Sequence, residues 1–228
     1  MLVQNESEQI GGAMTIRQAR LEDAPEMGRL MVTTWLAAHR RHIPLAAWER
    51  RRDLWTPEVS ASGWARCLRE RDASPDQARA CYLVAEDDHG TIIGVAAGAI
   101  SDADPTGRLG EVGSLYVHPE QQGRGIGRRL LGQLAACLAD KGVHSLHIGV
   151  LTANLEARRF YERLGGRDIG ERLFDEDGLP LPERIYAWSA MTPLLRPTAT
   201  PPEAADGSAP RGHCRSPVGT QLTPPPEG

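Results

Sequence analysis

Gly123, Gly125 and Gly127, separated by single residues, stand between a β-prone run and an amphipathic one, with Arg124, Arg128 and Arg129 around them. A glycine inside a helix costs up to about 1 kcal/mol relative to alanine. Glycines gathered at a helix start therefore imply that something approaches the backbone closely. The free N–H groups of a helix N-terminus, backed by the positive end of its dipole, make an anion site. The chemistry written in these residues is a cradle for a phosphate or pyrophosphate.

Other phosphate and metal chemistries fit poorly. Lys141 is the sole lysine, so a Walker-type Gly-Lys-Ser/Thr loop is absent and a Schiff-base lysine has little scope. A dinucleotide fold requires Gly-x-Gly-x-x-Gly, whereas the spacing here is Gly-x-Gly-x-Gly. His118, His144 and His147 form no closed ligand set with cysteine or carboxylate, and no metal is expected. His39 and His42 fall in a helical region on the expected substrate side.

The elements that position the cradle read on both sides of it. Residues 111–117, EVGSLYV, cluster Val112, Leu115, Tyr116 and Val117 into a strand. His118-Pro119 ends it, because proline offers no N–H to a ladder and restricts its predecessor. Ile126, Leu130, Leu134 and Leu138 then recur every four residues along one helical face, and Lys141-Gly142 supplies the stop. Before this unit, MTIRQA reads as a strand from Met14, and residues 23–71 as mostly helical, with Asp23 as a cap and restarts after Pro44 and at Pro57. Trp48, Trp55 and Trp64 in these helices pack a core, or line a pocket. CYLVAE and TIIGVAAGAI flank DDHG as a hairpin. After the unit come a strand at 144–151, a helix through NLEARRFYERLGG, and two last strands, RDIGERLF and ERIYAWSAM, with DEDGLPLP between them as a loop.

The chain has 228 residues, 40% hydrophobic and 25% charged, with a net charge of −4. That is one ordinary globular domain with appendages, and the charge gives no support to a nucleic-acid or polybasic-membrane partner. Four scattered cysteines without a Cys-x-x-Cys pair make a disulfide or zinc framework unexpected and fit a reducing, cytoplasmic setting. Residues 1–13 are patternless, so the folded domain is expected over 14–193, with a disordered N-terminal extension before it. Residues 194–228, rich in proline, alanine and glycine, are expected to be a disordered tail.

Taken together, these elements resemble the GNAT superfamily of acetyl-CoA-dependent N-acetyltransferases. The family signature Gln/Arg-x-x-Gly-x-Gly/Ala is matched by Gln122 through Gly127, preceded by LYVHPE and followed by Asn154 and by FYERLG from Phe160. The resemblance implies an α/β (α+β) fold: a mixed, mostly antiparallel sheet of about seven strands flanked by helices and splayed at an acyl-CoA cleft. It implies that Gln122, Gly123, Arg124, Gly125, Ile126, Gly127 and Arg128 hold the pyrophosphate of acetyl-CoA. It also implies that the backbone of Leu115, Tyr116 and Val117 pairs with the pantetheine arm, with a main-chain N–H polarising the thioester carbonyl. Gly113 marks either the bulge that opens the cleft or a tight packing contact.

The resemblance further implies an acetyl transfer to a primary amine, of a small molecule or a protein, by direct attack in a ternary complex. Alkylamines have a pKa near 10.4, so a carboxylate must take a proton first. Glu111 matches a base position of the family; its alternative is a surface carboxylate at a strand start. A second family position on the next strand is Gly149 here, which removes that route. Tyr161 matches the general acid for the departing thiolate, or else packs beside Phe160. Asn154 caps a helix and contacts the cofactor arm. A homodimer fits family habit, and a CoA-binding module without catalysis is the competing class.

Overall fold

The structure, a computed structural model, describes residues 14–74, 79–176 and 178–195. The N-terminal extension and all but the first two residues of the expected tail lie outside the described residues. The expected tail starts too early, however. Thr192–Leu195 is a short helix, α6, whose Leu194 is buried against the core, and this carries the fold past residue 193.

Seven strands form one sheet in the order β1-β2-β3-β4-β5-β7-β6. They are β1 (Thr15–Gln18), β2 (Ala80–Glu86), β3 (Ile92–Ile100), β4 (Leu109–Val117), β5 (Ser145–Leu151), β6 (Arg167–Glu176) and β7 (Leu179–Trp188). All neighbours are antiparallel except β4 and β5. A parallel pair needs a crossover, and α4 (Ile126–Ala139) provides it. The helical region resolves into α1 (Ala24–His39), α2 (Leu45–Leu54) and α3 (Pro57–Ala73), and α5 (Leu155–Arg163) follows β5.

Alternation along the strands sends side chains to two cores. On one face, Leu83, Val112, Leu115, Ile148 and Tyr186 meet Leu130, Leu134 and Leu138 of α4 and Tyr161 of α5. On the other, Val84, Val95, Tyr116 and Leu151 meet Met27, Met31 and Trp35 of α1 and Trp64 and Leu68 of α3. Trp64 is fully buried and Trp55 nearly so. Packing thus accounts for both, while Trp48 donates to the Leu36 carbonyl at 2.9 Å.

Three expectations are corrected. Cys81 and Cys137 form a disulfide, with their Cα atoms 6.3 Å apart. Cys81 lies on the face of β2 that α4 covers, so the fold brings together two cysteines 56 residues apart that no short motif links. Asp23 precedes α1 but makes no side-chain cap. Its carboxylate turns instead to Arg17, at 2.6 and 2.9 Å, and to the N–H of Arg20. Residues 175–182 are not a loop: β6 and β7 pair as far as Glu176 and Leu179, with Pro180 opposite Asp175 and Pro182 opposite Leu173. The ladder between β7 and β5 stops at Glu183, so these prolines sit where β7 has a partner on one side only.

Candidate active site

The β4–β5 ladder covers only Leu109–Val112 against Ser145–Ile148. Both strands continue beyond it, β4 to Val117 and β5 to Leu151, so they diverge in the middle of the sheet. A bulge drives the divergence. On β3, Ala97 pairs with Ser114 and the next residue, Gly98, with Val112, which leaves Gly113 as the extra residue of β4. An extra residue reverses which face the following side chains take. Val112 and Leu115 accordingly share the α4 face although they are three positions apart, an odd step that would otherwise put them on opposite faces. Leu115, Tyr116 and Val117 keep their pairing to Ala96, Val95 and Gly94 on β3, and their other edge faces the splay.

The end of β4 leads directly into the glycine loop. Gln122 donates to the Val117 carbonyl at 3.0 Å, which ties the loop back to the strand end. Gly123 and Gly125 both take left-handed φ, at 80° and 77°. Gly125 is the N-cap of α4, and no side chain caps the helix there. A Cβ at Gly125 would meet no protein atom within 4 Å. Its need for glycine thus comes from the backbone conformation and from open space above it, not from packing. Gly127 and Ile126 are buried under the loop, whereas Arg124 and Arg128 are exposed beside it. Arg124 bonds Gln121 at 3.0 Å, and Arg129 reaches the Met14 carbonyl. An uncapped N-terminus with left-handed glycines ahead of it suits a pyrophosphate.

On the α4 face, Tyr161 is fully buried among Phe160, Tyr186 and Trp188. Burial pushes its phenol above the ordinary tyrosine value, so it holds its proton. Its hydroxyl has no hydrogen-bond partner among the described residues. A buried hydroxyl left unpaired costs about 1–3 kcal/mol, which fits a group whose partner is a ligand. Asn154 caps α5 through the N–H of Ala157 at 3.1 Å, and it is buried.

On the opposite face the site is ionic. Glu111 accepts from Arg172 at 3.2 Å, and Arg172 also donates to Glu183 at 2.7 Å. Burial works against the Arg172 charge, but the two carboxylates outweigh it and hold the guanidinium above its usual value. Glu111 and Arg172 line a cavity of about 240 Å³ with Ser101, His147, Gly149 and Ile185. Burial lowers the pKa of His147 despite the nearby Glu111.

Residues 45–166, more than half of the chain, match the acetyltransferase (GNAT) family model. The chain belongs to this family. An uncharacterized N-acetyltransferase of Bacillus subtilis, YuaI, is 25% identical over 181 residues, covering 79% of this chain and 96% of that protein. The thialysine N-epsilon-acetyltransferase of Sus scrofa is 38% identical over 66 residues, which is 29% of this chain and 39% of the pig protein. Among solved structures, yncA of Salmonella typhimurium with its cofactor acetyl-CoA superposes with a TM-score of 0.58 at 24% identity, covering 85% of this chain and 99% of that one. PaiA N-acetyltransferase of Thermoplasma acidophilum, in complex with coenzyme A, gives 0.54 at 21% identity, with 75% and 98% covered.

In this GNAT acyltransferase the residues named from the sequence lie on both faces of the sheet, with Glu111 still in the paired stretch before the break. Tyr161 and the loop lie on the α4 side, whereas Glu111 points to the other face. The histidines in the helices stay out of it: His39 is buried, stacks on Trp35 at 4.4 Å and bonds the Trp35 carbonyl. Burial holds it down to about 3, so it is neutral at ordinary pH. Arg172 and Glu183 went unnoticed in the sequence. Each is an ordinary charged residue in a strand, and the signal that could have found them is the gap at Gly149.

Proposed function

We propose that this chain moves the acetyl group of acetyl-CoA to a primary amine by direct attack in a ternary complex. The observation that carries the reading is the splay of β4 from β5, which has an uncapped, glycine-led helix N-terminus on one side and a carboxylate pair on the other. Bound acetyl-CoA supplies an acyl group activated as a thioester. The backbone N–H groups of Gly123 through Arg128 would receive its pyrophosphate, with Arg124 and Arg128 adding positive charge. The free edge of Leu115–Val117 would hold the pantetheine arm, while Gln122 and Asn154 keep loop and α5 in place around it.

The acceptor enters from the opposite face. Its ammonium loses a proton to the Glu111–Glu183 pair, which Arg172 holds together by a hydrogen bond to each. Tyr161, protonated and without a partner of its own, gives its proton to the departing sulfur. The acceptor is a small-molecule or protein amine. A cytoplasmic setting and a homodimer complete the reading. β6 is an outer strand with Ile169 and Leu173 exposed, which offers a face to a second copy.

The test is release of the CoA thiol from acetyl-CoA in the presence of a panel of amines and peptides. Amine-dependent release is expected; its absence across the panel would sink the reading. Sedimentation of the purified chain checks the dimer.

A further inference from the structure

Gly149 stands on β5 just past the last residue paired with β4, on the face where Glu111 and His147 also point. A Cβ placed at Gly149 would collide with the carboxylate of Glu183. Glu183 pairs with Leu151 across the β5–β7 ladder, and its side chain leans along that face to cover Gly149. The bare backbone of β5 therefore makes room for a carboxylate that arrives from the neighbouring strand.

We propose that Glu183 takes the proton from the acceptor amine, reaching from β7 into the space that a side chain at position 149 would fill. This rests on the acetyl-transfer reading and assigns the proton within the carboxylate pair.

Two observations favour Glu183 over Glu111. Glu183 lies against the first unpaired residue of the splay, whereas Glu111 belongs to the paired stretch before it. Glu183 is 4% exposed and Glu111 has a 23% exposed side chain, so the former works where water competes less. Glu111 lines the cavity itself, and Glu183 borders it through Gly149 and Arg172, both of which it touches and both of which line it. Two carboxylates against one guanidinium leave one negative charge, which suits an ammonium group. Glu111, on the far nitrogen of Arg172, is then a positioning residue.

The step balances. The ammonium gives one proton to Glu183, and the freed nitrogen lone pair forms the bond to the acetyl carbon. The carbon–sulfur bond breaks, and the thiolate takes a proton from Tyr161. The second nitrogen proton leaves the new amide to restore Tyr161 through solvent, and Glu183 releases its own proton to water.

The test has two arms. In the thiol-release assay, Glu183→Gln should lower kcat about 10²-fold or more and abolish the acidic limb of the kcat/KM–pH profile. Glu111→Gln should lower kcat less than about tenfold and keep that limb. In the protein without acetyl-CoA, Gly149→Ala should lower Tm by about 4 °C, and by less than half of that in a Glu183→Ala background. A wild-type pH profile in Glu183→Gln, or additive Tm shifts, overturns the assignment while acetyl transfer stands. Absence of amine-dependent release by the wild type overturns both.

Discussion

On the α4–α5 face of the sheet the core is mostly aliphatic and aromatic, with Asn154 capping α5, the Tyr186 hydroxyl bonded to Arg158 and Glu162, and the Tyr161 hydroxyl left without a partner among the described residues. On the α1–α3 face, a core rich in tryptophan and methionine meets ions at its margin. Arg51 stacks over Trp55 at 4.5 Å and pairs with Glu176 at 3.2 Å, and Arg172 joins Glu111 to Glu183. Under the proposed function, the first face receives acetyl-CoA and the second takes the proton of the acceptor amine. Acyl transfer needs both, and the sheet lets them meet only where β4 and β5 part.

The sharpest way to break this contrast is Tyr161→Phe. It should lower kcat about 10²-fold or more while leaving the fold as stable as before, or up to about 1 kcal/mol more so, because the lost hydroxyl had no partner. Thiol release and urea unfolding measure the two effects. A variant that is active and destabilised would make Tyr161 a packing residue.

Next in size is the staple on the same face. Closing a loop of 56 residues is worth up to about 4 kcal/mol through the unfolded chain. Cys81→Ser should lower unfolding free energy by about 2–4 kcal/mol, and reductant should do the same to the wild type. Equal stability with and without reductant would mean the bond does not form in solution. Such a bond persists most readily in an oxidising compartment, so counting free thiols in protein from its native source also tests the cytoplasmic expectation.

Gly125→Val comes third. A side chain there meets open space but must accept a left-handed φ, so stability should drop by about 1 kcal/mol while acetyl-CoA affinity falls at least about tenfold. Calorimetry showing full affinity would place the pyrophosphate elsewhere.

Smallest at neutral pH is an effect on the other face. His39 has a folded-state pKa near 3, below its unfolded value of 6.5. Between those values the unfolded chain binds the extra proton, so stability rises with pH there and is lost as pH falls, by about 1.4 kcal/mol per unit at most. His39→Gln should flatten that part of the stability–pH curve. An unchanged slope would show that His39 is not buried as a neutral ring.

The same contrast governs what could be read without coordinates. The cradle occupies one contiguous stretch, in which strand, proline stop, glycines and helical repeat each carry a local signal. Strand, stop and helix fold as expected, and of the two readings of Gly113 the register shift shows the bulge. The acceptor face is assembled from residues far apart in the chain: Glu111 and Arg172 are 61 positions apart, and nothing local to either marks the pairing. The disulfide was hidden for the same reason. Pro180 and Pro182 misled because proline argues against a central strand, and only the limited reach of β5 makes them tolerable. The substitution at Gly149 was legible as a missing acid, but its filling by Glu183 required the β5–β7 register.

The short β4–β5 ladder also bears on how the molecule comes apart. Among the described residues, four paired residues on each strand, in the slightly weaker parallel arrangement, and the bonds of His144 and Ser145 to the Arg108 carbonyl beside them join β1–β4 to β5–β7 through the backbone. The two halves should behave as separate cooperative units in native-state hydrogen exchange, with amides of 145–148 exchanging earlier than those of β2 and β3. Under the proposed function substrates enter at the seam between those units, so breathing that starts unfolding and breathing that would admit an amine begin at the same residues.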